Sequence, residues 1–210
     1  GAIRLKHEGD VEFDLKMTSN VPMWSPGRGR FDVDGGFMKL NIFGLRASVD
    51  GKLKVDGEWR EVEGTRTGYA EHSSTNIAPY DLATRFSRTR MYDNDDDIFF
   101  LWREIKLVDD YGGESVNWVV VGYKDQIVFS DPDATVKFGK VKKDKAGYHI
   151  PWAVQVEGED GEDSIKMVMR GQDLKRKDLL EEYGSMVRMV ASSVSEPFHY
   201  RFKCEYALEM

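Results

Sequence analysis

From Phe198 to Leu208 the chain alternates without a break. Phe198, Tyr200, Phe202, Cys204, Tyr206 and Leu208 take every second position, with His199, Arg201, Lys203, Glu205 and Ala207 between them. Successive side chains of an extended chain leave opposite faces, so the apolar and aromatic groups share one face. A helix would scatter them around its circumference. The segment therefore reads as a strand, with the aromatic row mostly buried. The same period recurs over Val11 to Met17, Phe37 to Phe43, Leu45 to Val49, Leu53 to Val55 and Trp59 to Glu63. It continues over Leu82 to Met91, Ile98 to Val108, Val116 to Tyr123, Val136 to Val141, Ile150 to Val156 and Ile165 to Met169. Asp50-Gly51, Asp56-Gly57 and Asp160-Gly161 stand between such runs, as do Asp34-Gly35-Gly36 and Tyr111-Gly112-Gly113. Asp-Gly between alternating segments marks a hairpin, because tight hairpin turns need positive φ. Val-Asp-Gly occurs three times, at 33–35, 49–51 and 55–57, at uneven spacing, which is shared turn chemistry and not an internal repeat.

One segment dissents. Asp173 to Tyr183 has Asp173 as an N-cap and Leu174, Leu179, Leu180 and Tyr183 at loosely helical spacing, so a short helix is expected there. Many short strands and one helix make an all-β chain, closed as an antiparallel barrel or a large sandwich. No composition shift or Ser/Gly linker divides it, so 1–210 reads as one domain.

Charge and cysteine usage narrow the function. Lys plus Arg is 30 and Asp plus Glu is 37, a net charge of −7, and such a chain lacks the global field that non-specific nucleic-acid binding needs. Cys204 is the single cysteine, which rules out an intrachain disulfide and favours a reducing compartment. With no N-terminal apolar segment of the secretory kind, a cytoplasmic protein is expected. The longest run without a charge, 17–27, holds two prolines and is far short of the ~20 residues of a membrane-spanning helix.

Metal and cofactor signals are weak. Asp93, Asp95, Asp97 and Glu104 match four ligand positions of a calcium-binding EF-hand loop, but Ile98 stands where the sharp turn requires glycine. The run reads as a solvated hairpin tip. His7, His72, His149 and His199 form no zinc spacing. Cys204, in the apolar row, reads as an inert buried thiol. Gly27-Arg28-Gly29-Arg30 is a turn, and neither a phosphate-binding loop nor a nucleophile elbow is present, so no cofactor is expected.

The informative stretch is 62–90, dense in polar and titratable residues between two strands. Gly64 and Gly68 leave room for a bulge or a close backbone approach. Tyr69 and Glu71 project to one side and Ala70 and His72 to the other. Glu71 and His72 can share a cavity only if the chain is irregular between Glu71 and Asn76, so an irregularity is expected there, with at least one of the two lining the largest cavity. A purely structural hydrogen-bond network at the rim remains the alternative. Further on, Arg103 shares a face with Phe99, Leu101, Ile105 and Leu107. If that row faces inward, Arg103 needs a carboxylate, with Glu71 the first candidate, because an unpaired buried charge is very costly. If the row faces outward, it needs none.

Arg46-Ala-Ser-Val-Asp-Gly-Lys-Leu-Lys-Val-Asp-Gly-Glu-Trp-Arg-Glu-Val-Glu-Gly64 runs as strand, turn and strand ending in V-x-G. It leads into Gly68-Tyr69-Ala70-Glu71-His72, a polar loop, a strand, and then Ile98-Phe99-Phe100-Leu101-Trp102. Over about residues 30–125 this order resembles the lipocalin-like domain of the carotenoid 1,2-hydratase and AttH-like family. The resemblance implies a single antiparallel calycin-type barrel around an apolar cavity, with Glu71 and His72 at the family's polar motif. Ser73-Ser74-Thr75-Asn76 follows, so the Trp and Gly of that motif are both missing. Three functions are compatible with this reading. The first is binding of a hydrophobic, isoprenoid- or fatty-acid-like molecule, with Tyr69, Asn76, Tyr80, Trp102, Arg103 and Trp118 as candidate binding residues. The content of 11 Phe, 9 Tyr, 5 Trp and 9 Met suits such a pocket. The second is a hydratase or cyclase in which Glu71 or His72 protonates an isoprenoid alkene and Tyr69, Trp102 and Trp118 stabilise the cation. The third is a structural or partner-binding protein with a filled barrel.

Overall fold

Twenty residues of continuous strand, Gly36–Val55, organise the N-terminal part of the chain. The computed structural model describes residues 2–8, 12–93, 95, 97–181, 185, 189 and 197–210. Two compact units, 1–134 and 135–210, divide it.

The first unit holds two antiparallel sheets. One contains β1 (Ala2–His7), β2 (Phe13–Thr18), β3 (Arg30–Val33), β4 (Gly36–Val55) and β5 (Glu58–Thr75). The other runs in the order β6 (Ala83–Tyr92), β7 (Ile98–Leu107), β8 (Ser115–Tyr123), β9 (Gln126–Asp131). A four-residue helix, α1 (Pro79–Leu82), joins the sheets and buries Leu82. The expected all-β, antiparallel, lipocalin-like architecture is present, but among the described residues its sheets are separate and not closed into a barrel.

Alternation builds the core. Met38, Leu40, Ile42 and Leu45 of β4 meet Phe99, Leu101, Ile105 and Leu107 of β7 and Trp118 and Val120 of β8. At about 1.5–3 kcal/mol for each large side chain fully buried, this contact dominates the unit's stability. The other face of β7 and β8, with Phe100, Trp102, Glu104, Val119 and Val121, is buried too. Strands buried on both faces lose their polar alternation, which is why Ile98–Trp102 and Val119–Val121 read as continuous apolar runs.

Polar ties hold the hairpin ends. The Arg46 guanidinium, 9% exposed, donates to Asp125 Oδ1 at 3.1 Å and lies 4.0 Å from Asp97 Oδ1. The Tyr92 hydroxyl donates to the Leu45 carbonyl at 3.0 Å. The acidic run 93–97 is the β6–β7 connection, where the Asp93 carboxylate accepts the Ile98 N–H. Among the described residues no group of acidic, His or Cys side chains could hold a metal ion.

The second unit is one antiparallel sheet in the order β10 (Thr135–Lys143), β11 (His149–Asp160), β12 (Asp163–Asp178), β13 (Phe198–Glu209). It corrects the helix expected over 173–183. Residues 173–178 belong to β12 and pair with 203–198, Leu174 lying opposite Phe202. Cross-strand pairing outweighs the weak helical spacing, since propensity is only a small term. Residues 182 and 183 of that expectation lie outside the described residues.

The C-terminal strand forms as expected, but its burial does not follow. Phe198, Tyr200 and Phe202 are half-buried, whereas Cys204 and Tyr206 are exposed. β13 is the edge of its sheet and pairs only with β12, so the row meets fewer neighbours than a central strand would. Phe202 packs edge-on against Trp152 and stands on Gly171, where an added Cβ would fall 2.7 Å from the ring. Asp144, in the β10–β11 turn, accepts the N–H groups of Ala146 and Tyr148 and the Tyr200 hydroxyl, the last at 2.5 Å. That bond holds the Asp144 carboxyl below the usual carboxylate range. Burial, with the bond to Asp144, pushes the Tyr200 phenol up to about 12.

Two tests follow from this packing. Phe99 lies directly across from Gly122, and a Cβ there would fall 1.9 Å from the ring. Gly122→Ala should cost about 1–3 kcal/mol by overpacking, read as a lowered melting temperature, and Phe99→Leu in the same chain should recover part of the loss. In the second unit the raised Tyr200 value means its contribution to stability is complete below pH 10 and lost as pH rises through about 12. Asp144→Asn should shift the Tyr200 ionisation back toward 10, followed by tyrosinate absorbance with Tyr200→Phe as reference. Superimposable titrations of wild type and Asp144→Asn would show that the bond has no such effect.

Candidate functional site

Tyr69 and Glu71 leave β5 on its core side, and Arg103 leaves β7 toward them. Arg103 Nη1 donates to Glu71 Oε2 at 2.5 Å, and the Tyr69 hydroxyl donates to the same oxygen at 2.6 Å. The side chains of Arg103 and Glu71 are only 12% and 18% exposed. The inward reading of the Arg103 row therefore holds, with Glu71 as its carboxylate. Arg88 of β6 stands directly across from Arg103 in the ladder, and its Nη1 lies 3.6 Å from Glu71 Oε1. Like charges directly opposite repel, and Glu71 sits between these two. The Arg90 guanidinium lies 4.6 Å over the Tyr69 ring. Burial, and then the bond to Glu71, pushes the Tyr69 phenol well above its ordinary value.

This geometry suits a carboxylate that accepts. Both Glu71 oxygens face cations, and one also takes a phenolic proton donor, so the group is held as an acceptor and is not aimed into open space.

The structure brings together only part of the expected set. Tyr69, Glu71 and Arg103 meet, and Trp118 lies directly across from Arg103, within the core. Trp102 is buried on the opposite face of the same sheet, its Nε1 donating to Asn117 Oδ1 at 3.4 Å. His72 is exposed on the far side of β5. Asn76, past the end of β5, accepts the Phe37 N–H at 2.8 Å, and Tyr80 on α1 is 57% exposed.

The irregularity expected between Glu71 and Asn76 is displaced. Pairing with β4 is regular from Glu71↔Ile42 to Thr75↔Met38, where the strand ends. The register slips lie before Glu71, between Ile42 and Gly51 of β4. Glycines take them up: Gly64 has φ +57, and a Cβ at Gly68 would fall 2.6 Å from Val49 Cγ2 and 2.8 Å from the Ala47 carbonyl. A Cβ at Gly44 would fall 3.2 Å from that of Ala70.

The cavities follow the slips. Neither Glu71 nor His72 lines the larger one, of about 470 Å³, which is bordered by Arg4, Asp14, Lys16, Lys52 and Glu61 among others. A second, of about 250 Å³, is walled by Ile3, Met17 and Phe43 and floored by Gly44, Ala47 and Ala70, with Ser19 at its side. Glu71 and His72 do not line the second either. Ala70 leaves β5 on the face opposite Glu71, so the slipped segment of β4 opens a groove there and not on the Glu71 side.

Sequence reasoning also missed Glu104, which is fully buried. Arg85 grips it with two bonds of 2.9 and 2.8 Å, and Ser87 and Ser115 donate at 2.8 and 3.0 Å. Its signal was its place in one row with Phe100 and Trp102.

The Svf1 family profile matches residues 42–210, four-fifths of the chain. The chain belongs to the Svf1 family. The matched part of this Svf1-family chain starts at Ile42, where the register begins to slip, and takes in the Glu71 cluster and all of the second unit. No curated protein matches it in sequence. Among solved structures, kievitone hydratase from Nectria haematococca is similar, with a TM-score of 0.57 at 14% identity over 86% of this chain and 55% of that one. The Svf1-family chain thus spans about half the length of that structure. At such identity the likeness establishes the fold, a lipocalin-like one.

Arg103→Leu strands Glu71 beside a core, with Arg88 as the remaining cation. The change should cost about 3 kcal/mol, the low end for a broken buried pair. The double change Arg103→Leu with Glu71→Leu should recover part of it. Denaturant unfolding is the measurement; a loss below about 0.5 kcal/mol for the single variant would make the pair a solvated one.

Proposed function

We propose that this Svf1-family protein binds a hydrophobic small molecule, isoprenoid- or fatty-acid-like, on its first unit. The groove beside the slipped segment of β4 carries the reading: apolar walls of Ile3, Met17 and Phe43 over a floor with almost no side chain, at Gly44, Ala47 and Ala70. Its volume, about 250 Å³, is near the lower end for small-molecule sites and suits one alkyl or prenyl segment. Each methylene buried there gains about 0.8 kcal/mol, so a chain of about ten carbons gains roughly 8 kcal/mol before the cost of association. Ser19, buried and donating to the Arg46 carbonyl, is the polar group at the wall.

A second reading, acid-catalysed addition of water to an isoprenoid alkene or its cyclisation, draws on the likeness to kievitone hydratase and on the core-side position of Glu71. The cations facing both Glu71 oxygens, and the donors on Oε2, favour binding over proton delivery.

Ala70→Phe should fill the groove and weaken binding of a fluorescent fatty acid by about tenfold or more, with an unchanged circular dichroism spectrum. Organic extraction of the purified protein should yield a co-purifying hydrophobic molecule, depleted in the variant. Unchanged affinity in Ala70→Phe would remove the groove from the reading; an empty extract together with no probe binding would leave a structural or partner-binding protein. Glu71→Gln separates the two chemistries. It should leave binding nearly intact, and only an acid catalyst would lose its turnover by it.

A further inference from the structure

Charge is segregated along the second unit. The β11–β12 turn region, 157–163, holds five acidic residues and no basic one. At the other end, 140–149, 172–178 and 198–203 together hold nine Lys and Arg against three Asp. β12 carries the chain between these ends over about 50 Å, several Debye lengths at physiological salt, so the acidic end does not cancel the field of the basic one.

The ladder concentrates the basic groups. β11 pairs with β12 only as far as Ala153↔Arg170, and from Gly171 onward β12 pairs with β13 alone. On one face of this ribbon Leu174 and Arg176 stand with Phe202, Tyr200 and Phe198, and Arg176 lies over the Phe198 ring and near Asp144. The other face presents Lys175, Lys177, His199, Arg201 and Lys203, all exposed, with one acid, Asp173, across from Lys203. Lys175 stands directly across from Arg201. Directly opposed like charges destabilise a sheet. Unlike Arg88 and Arg103, which share Glu71, Lys175, Arg201 and Lys203 have no ion-pair partner among the described residues.

Apolar groups lie at the same end. Val141 and Leu179 are 50% and 45% exposed. A polyanion in water gives such side chains nothing to bury, whereas a bilayer offers anionic headgroups for lysine and arginine and an interface for valine and leucine.

From this we infer that the basic face of the β12–β13 ribbon, with its apolar flank, docks on the surface of an anionic phospholipid bilayer. The attachment proposed is peripheral, by surface side chains; no helix among the described residues is long and apolar enough to cross a membrane. It belongs to the second unit and the ligand groove to the first, and neither reading requires the other.

The experiment is co-sedimentation of the full chain with phosphatidylcholine vesicles, with and without phosphatidylserine, at low and physiological salt. Binding should require phosphatidylserine and weaken with salt. Lys175→Glu/Arg201→Glu/Lys203→Glu should reduce it at least about a hundredfold, since loss of each basic residue near an anionic surface alone removes roughly fivefold. Lys16→Glu/Lys39→Glu/Arg60→Glu makes the same change of net charge on the first unit and should stay within about twofold of wild type. Thermal melts check that both variants fold; if the first does not, the glutamine triple variant replaces it. Absence of wild-type binding at low salt, equal binding without phosphatidylserine, or retention by the folded ribbon variant would each overturn the assignment. Binding to single-stranded DNA as tight as to the vesicles at the same salt would overturn it too, making the face a general polyanion site.

Discussion

The first unit depends on β4 having partners along both of its edges. Every backbone N–H and C=O withdrawn from water needs a partner, and a strand of twenty residues has many. β5 serves one edge from Met38 to Val55. The other edge is shared among β3 at 36–39, the Gly29 carbonyl at Leu40, an isolated bridge from Trp24 to Ile42, and β2 from Ser48 to Leu53. β5 alone follows β4 through its slips, whereas on the other edge several short segments take turns. The groove lies where this relay changes hands, between the Trp24 bridge at Ile42 and the end of β2 at Ser48.

β7 shows how charge is tolerated in a sheet buried on both faces. Arg103 and Glu104 are neighbours in sequence and emerge on opposite sides. Each meets an opposite charge from another strand, Glu71 from β5 and Arg85 from β6. Both acids also accept hydroxyl protons, Glu71 from Tyr69 and Glu104 from Ser87 and Ser115. Low dielectric makes an orphan charge expensive and a fully satisfied network cohesive, and these two networks tie β5, β6, β7 and β8 to one another.

Strands were legible where one face is apolar and the other polar, and the row of Arg103 could be read because a lone charge among Phe99, Leu101, Ile105 and Leu107 demands a partner. Depth was not. Alternation assigns Cys204 and Tyr206 to a face but says nothing about whether anything covers it, and at an edge strand little does. Residues 173–178 carry a pattern that neither helix nor strand owns outright, and the partner that decides it, β13, is some twenty residues away. The slips in β4 were legible only as glycines. Gly44, Gly64 and Gly68 announce close approach or positive φ, but which neighbour approaches depends on a register that local sequence does not specify. Hence Glu71 and Arg103 were found, and the groove on the reverse face of β5 was not.

The two glycines under aromatic rings bear on how the strands find their alignment. Phe99 needs a bare backbone across from it, and β8 supplies one at Gly122; a shift of two residues, the smallest that keeps the apolar rows inward, would set the ring against Val120 or Lys124 instead. Phe202 over Gly171 repeats the device in the second unit. A hydrophobic row by itself accepts any even shift. An aromatic ring matched to a single vacancy accepts one, so each of these pairs works as a key that admits the native alignment and refuses its nearest competitors.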